Sequence, residues 1–153
     1  MQSKKIISCW ALVIFGMVII LLSACKNDVK LPKKEVNGLP DDFVEFYNTF
    51  HTDSAFQMAH IEFPLEGYPS GANADSTQDM SKFRWTADKW QMHRLNFYND
   101  KDFSRRFDSP MQIVVNEIIV QKQSGYGTLR RFMKRGTDWH LIFYSDMNRL
   151  ENK

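Results

Sequence analysis

The apolar run from Ile6 to Leu22 constrains this chain more than any other stretch, because it decides which residues are available to fold. Lys4 and Lys5 precede it, and the small residues Ser23 and Ala24 come after it, which is the order of a secretory signal. Residues 1–24 are therefore expected to be removed as a signal peptide. The alternative is an uncleaved transmembrane anchor, since 17 residues exceed a usual signal h-region and approach the low end of a membrane span. In both cases the segment adds nothing to a core, and the rest of the chain is tethered to a membrane.

Cysteine usage agrees with export. Of the 2 Cys, Cys9 lies in the discarded segment and Cys25 stands directly after it. Leu22-Ser23-Ala24-Cys25 resembles the bacterial lipobox, in which a diacylglycerol is joined to the Cys thiol before cleavage on its N-terminal side. Lipidation at Cys25 would place the chain in the cell envelope, anchored to the outer membrane and facing the periplasm or the surface. At about 0.8 kcal/mol per buried methylene, two or three acyl chains such as palmitate make release negligible. The mature chain then has no thiol for a disulfide, a metal or a nucleophile, so packing must stabilise it. Beyond Cys25 lie 128 residues, enough for one domain and too few for two, and 14% aromatic content can furnish its core.

Charge is informative once divided. The net +2 belongs to the precursor, because Lys4 and Lys5 are lost with the signal. Residues 26–81 carry 4 basic and 10 acidic side chains, whereas residues 82–153 carry 14 basic and 8 acidic. Within one domain, halves of opposite sign complement each other and polarise the surface.

Residues 26–38 are polar and without apolar period, a tether reaching roughly 20 Å as flexible coil. The division expected is thus a signal peptide at 1–24, the lipidated Cys and linker at 25–39, and a single α+β domain at 40–150. Pro40, the acidic residues Asp41, Asp42 and Glu45, and the spacing of Phe43, Phe46, Tyr47 and Phe50 predict a helix with one aromatic stripe facing a core. Asp53 or Ser54 caps a shorter helix that must end by Pro64, and residues 66–81 read as a long loop. Phe83 to Trp85 reads as a short extended piece, Thr86 as the cap of a turn reaching Trp90, and Asp100 to Phe107 as a further helical turn. Residues 111–121, 126–135 and 138–145 are rich in β-branched and aromatic residues and are joined by short glycine-containing turns, which predicts an antiparallel meander. In the first of these runs the apolar alternation slips after Val115, which predicts a bulge near Asn116 and Glu117. Helices packed on a curved antiparallel sheet, with the Phe43 stripe on its concave face, form an α+β layer architecture.

The stretch from Phe56 to Pro69 (FQMAHIEFPLEGYP) and the run from Gly127 to Asn148, with Trp139 after the last turn, resemble a family of Bacteroides-group lipoproteins described as domain of unknown function 4348. That resemblance implies a cone similar to nuclear transport factor 2, in which helices close a strongly bent sheet. It implies no particular activity, since such cones serve enzymes and non-enzymatic binding domains alike.

The search for chemistry is correspondingly sparse. No H-E-x-x-H, C-x-x-C, P-loop or G-x-S-x-G occurs, so the well-specified metal, redox, nucleotide and serine-hydrolase readings fall away and no cofactor is called for. The four His residues, His51, His60, His93 and His140, include no pair at helical i, i+4 spacing, so no metal ligand set is expected. Unbroken alternation along 138–146 places His140, Tyr144 and Asp146 on one face, where they form an acid/base set if that face lines the cone. Arg130 shares a face with Phe132 and is the candidate anchor for an anionic ligand inside the cone. The basic residues of 130–135 divide between two faces, which argues against nucleic acid. The reading is of a non-catalytic module that binds a small molecule or an envelope protein, open to homodimerisation through its sheet. The alternative is a small pocket enzyme of hydrolase or isomerase type using His140 and Tyr144.

Overall fold

Pro40 and the acidic pair Asp41 and Asp42 begin α1 (Asp41–Thr52), where negative side chains meet the positive end of the helix dipole. Phe43, Phe46, Tyr47 and Phe50 are all buried along it, as their spacing requires. The Asp53 N–H closes α1 on the Thr49 carbonyl, and the Asp53 carboxylate accepts the Ala55 and Phe56 N–H groups at 2.9 and 3.0 Å to open α2 (Ser54–Ala59). One residue thus sets the angle between the two helices.

The computed structural model describes residue 31 and residues 38–72, 79–95 and 98–150. The signal peptide at 1–24, the lipidation site Cys25 and residues 26–30 and 32–37 of the tether lie outside the described residues. Leu31, inside the stretch read as linker, is buried, and its N–H donates to Asn48 Oδ1 at 3.1 Å.

Among the described residues the helices lead into six strands: β1 (Ile61–Tyr68), β2 (Arg84–Trp85), β3 (Phe103–Met111), β4 (Val114–Gln121), β5 (Tyr126–Arg135) and β6 (Asp138–Arg149). They form one sheet in the order β2-β1-β6-β5-β4-β3, antiparallel except where β1 runs parallel to β6. The meander over β4, β5 and β6 is as expected, and the sheet is wider than three strands. β1 takes the first part of the expected 66–81 loop, and its Pro64 falls where the ladder with β6 is interrupted between Ile61 and Glu66. Residues 103–107, read as a helical turn, instead begin β3, because pairing with β4 outweighs the weak local helix signal.

The bulges also differ from expectation. β4 pairs with β5 without interruption from Val114 to Val120, and the shift beside Asn116 in the ladder with β3 puts its extra residue in β3, so Asn116 and Glu117 form no bulge. The alternation never slips: Val115, Glu117 and Ile119 all point inward and all are buried. β6 is interrupted instead, once between Ser145 and Asn148 and once where Leu141 faces Phe132 and Phe143 faces Arg131, leaving Ile142 as the extra residue. Beyond it the faces of β6 exchange, which turns Tyr144 onto the same side as Trp139 and Leu141. This register sets the core. Phe43 meets Phe132 at 5.4 Å and Trp139 at 5.0 Å, both edge-on, so the helix rings cover one end of the inner sheet face.

Candidate functional site

At the other end of that face the lining changes from rings to charges. Glu117 is fully buried between two guanidinium groups: Arg130 Nη1 donates to Oε2 at 2.7 Å, and Arg105 Nε lies 3.1 Å from Oε1. The Tyr47 hydroxyl, from α1, also donates to Oε1. Burial alone would push the Glu117 carboxyl up, but Arg130, with Arg105, outweighs it and holds the group below the usual carboxylate range. Burial likewise disfavours the charge on Arg130, and Glu117 more than offsets that, so the guanidinium is held protonated more firmly than usual.

The loop before β3 is clamped against this cluster. Gln57 of α2, 1% exposed, receives the Trp90 indole N–H at 3.1 Å and the His93 N–H at 2.9 Å on its oxygen. Its amide nitrogen donates to the carbonyls of Phe50 and His93 at 2.7 and 2.9 Å. All four hydrogen bonds of one side-chain amide are thus made. His51 Nδ1 reaches the same His93 carbonyl at 3.0 Å, so that nitrogen carries the proton. Burial and then Arg130 push His51 down to about 3, and the same two causes push His93 far below the ordinary imidazole range. Both rings are neutral at pH 7.

Between this loop, β2, β5 and β6 lies an open cavity of about 270 Å³. Trp85, Trp90, Tyr98 and Tyr144 supply its aromatic walls, and Arg130, His93, Asp146, Lys89 and Gln91 its polar groups. Gly67 makes the arrangement of Trp85 feasible. A Cβ at that position would come within 1.7 Å of the Tyr144 carbonyl oxygen, the acceptor that takes the Trp85 indole N–H at 2.9 Å.

The structure brings some of the expected site residues together and separates others. Tyr144 and Asp146 are joined, the Tyr hydroxyl donating to Asp146 Oδ1 at 2.9 Å, and Arg130 lies with its guanidinium carbon 5.7 Å from the Tyr144 ring. His140 is not with them. The extra residue Ile142 puts it on the opposite face, where its ring lies 5.4 Å from that of His60. The imidazole beside Tyr144 is His93, at 4.6 Å between rings. Sequence reasoning missed His93, Gln57 and Glu117. For Glu117 the signal was present as one acid at an inward position of an otherwise apolar alternation. Among the described residues no cluster of three or more His, Cys, Asp and Glu is placed to hold a metal ion.

This architecture, helices closing a curved and mostly antiparallel sheet with a cavity at its open end, is α+β. The chain is similar to a crystal structure described as an NTF2-like protein from Bacteroides fragilis, with 21% identity and a TM-score of 0.48. The match covers 72% of this chain and 48% of that one, so this chain spans about half the length of that protein. No family model matches the chain, and no curated protein matches it.

Proposed function

We propose that this is an envelope lipoprotein whose domain binds a small molecule in the cavity between the Trp90–His93 loop and the sheet, without transforming it. The observation that carries the binding reading is Arg130. It is a guanidinium 2% exposed that nonetheless lines a cavity of about 270 Å³ among aromatic walls. Few polar groups converging in an apolar recess are the ordinary form of a ligand site, and this volume lies near the lower limit of about 300 Å³ for drug-sized ligands.

The same groups favour binding over catalysis. A proton shuttle works best with a pKa near the operating pH. Burial, the largest cause, pushes the Tyr144 hydroxyl far above its ordinary value, and burial pushes His93 far below its own. Neither cycles a proton near neutrality. His140, the other half of the acid/base pair expected from sequence, is outside the cavity.

Membership of the Bacteroides-group lipoprotein family, a cone similar to nuclear transport factor 2, and an outer-membrane address at Cys25 belong to this proposal. The signal-like N-terminus and the residues Leu22 to Cys25 support the address. Native mass spectrometry of the full chain, extracted from its own envelope, tests both parts. Binding predicts a molecule released on activation, and repeated preparations of bare protein would refute it. Labelled palmitate should enter the wild type and fail to enter Cys25→Ala; an unlabelled wild type would move the protein to another compartment.

A further inference from the structure

Several of the cavity's polar groups are already engaged by the protein, and Arg130 and His93 are the exceptions that bear on a ligand. Both indole N–H groups are already engaged, Trp85 on the Tyr144 carbonyl and Trp90 on Gln57. The two tryptophans therefore offer only ring surface. The Tyr144 hydroxyl proton is committed to Asp146 Oδ1, and the same oxygen accepts the Met147 N–H at 2.8 Å.

Arg130 is different. Its Nε donates to His93 Nδ1 at 3.1 Å and its Nη1 to Glu117, but among the described residues no protein atom takes Nη2. Buried donors are almost always paired, so a guanidinium edge without a protein acceptor beside a cavity calls for an acceptor from outside the protein. The bond to His93 supplies a second donor. A guanidinium has no lone pair to offer, so Nδ1 must be the unprotonated nitrogen, and the neutral ring carries its proton on Nε2. Two donors on directly bonded side chains suit two acceptor oxygens held at a fixed separation, as in a carboxylate.

The local charge has the same sense. Arg130 and Lys89 give the lining two cationic side chains against one acid, Asp146. Its Oδ1 already accepts the Tyr144 hydroxyl and the Met147 N–H, so that edge is directed at the protein's own donors.

We propose that the ligand of this cavity is a small ring-bearing carboxylate, its oxygens facing Arg130 Nη2 and His93 Nε2–H and its ring lying against Trp85, Trp90 and Tyr144. This deepens the binding reading above and rests on it. The size fits, since a cavity of about 270 Å³ admits a single ring with a short substituent.

The test is calorimetric titration of the detergent-solubilised full chain with benzoate, its neutral isostere benzamide, benzylammonium and inorganic phosphate. Benzoate should bind saturably, and benzamide at least about tenfold more weakly, the usual loss when a charged hydrogen bond becomes neutral. Arg130→Lys keeps a positive charge beside Glu117 but lacks the planar fork, and should lose benzoate affinity by a similar factor. If that variant does not fold, the four wild-type titrations still decide. Benzylammonium binding more tightly than benzoate would overturn the proposal and make Asp146 the recognising group. Phosphate equalling benzoate would overturn the ring requirement. With none of the four binding, the native mass spectrum separates the remaining cases. A copurifying carboxylate upholds the class, a molecule without one overturns it while leaving the binding site standing, and bare protein removes both.

Discussion

The two ends of the inner sheet face are built from the same strands and stabilised by opposite means. At one end Phe132, Leu141 and Trp139 meet Phe43, Phe46 and Phe50 of α1 in a filled aromatic core. At the other, Glu117, Arg130 and Tyr144 meet Tyr47, Gln57 and His93 in a network of hydrogen bonds beside an open cavity. Tyr47 belongs to both, with its ring 5.6 Å from that of Phe43 and its hydroxyl on Glu117. Ring packing depends mainly on volume, so it tolerates modest change. A buried ionic network depends on every member, because a charge that loses its partner stays desolvated. The first end explains why the chain folds, and the second explains why it folds around a space.

Conservative substitutions at each end should break or confirm this contrast most clearly. Glu117→Gln preserves shape but removes the anion against which the buried Arg130 and Arg105 guanidinium groups are held, and should cost about 3–5 kcal/mol. Phe50→Leu removes part of one fully buried ring at the other end, and should cost about 1–2 kcal/mol. Urea unfolding monitored by circular dichroism measures both. Equal costs would mean that the two ends are held in the same way.

The next effect is on pH dependence, and it should belong to the polar end alone. The folded-state pKa of His51 is lowered from 6.5 to about 3, and that of His93 is lowered further. The unfolded chain therefore binds protons at these positions that the folded chain refuses. Stability is fully present above about pH 6.5 and declines as the pH falls toward the folded values, by up to about 1.4 kcal/mol per pH unit for each ring. From pH 7.5 to 5 each His should account for a loss of about 2 kcal/mol, in a range where carboxylates still carry their charge. His51→Gln should flatten the pH profile by one proton's worth between pH 6.5 and 5, whereas Phe50→Leu should shift the whole curve without changing its slope.

The apolar end was legible in the sequence and the polar end largely was not, for a physical reason. The spacing of Phe43, Phe46, Tyr47 and Phe50 is local, so the helix, its buried face and a cap at Asp53 or Ser54 could be read from a dozen residues, and the structure puts the cap at Asp53. The three-strand meander was equally local. The site depends on register instead. One extra residue at Ile142 moves Tyr144 inward and leaves His140 outside, and a period-2 reading without the partner strand cannot place that residue. Glu117 produced the opposite error. An acid at an inward position looked like a slip of the alternation because its partners, Arg130 and Tyr47, are 13 and 70 residues away. Arg130 was placed correctly on the face of Phe132, and the first anion it meets is the protein's own. The turns and the 3-10 segments around Trp90 carry little periodicity, so the contribution of His93 had no local signal at all.

The smallest effect sharpens the comparison by making the same acid-to-amide change where water can reach it. Asp42 Oδ2 at the start of α1 accepts from Lys134 Nζ at 2.5 Å and from the Trp139 indole N–H at 3.2 Å, closing the rim of the aromatic end. The hydrogen bond from Lys134 is the largest cause holding the Asp42 carboxyl below its ordinary value, yet the side chains are 47% and 30% exposed. Solvent and salt screen such a pair, and an asparagine can keep the bond to Trp139. Asp42→Asn should therefore cost about 0.2–1 kcal/mol, and less in high salt, whereas the cost of Glu117→Gln should change little because ions do not reach it. If the two acids proved equally costly in urea titrations at low and high salt, burial would not be what distinguishes the two ends, and the case for a desolvated Arg130 at the cavity would fail with it.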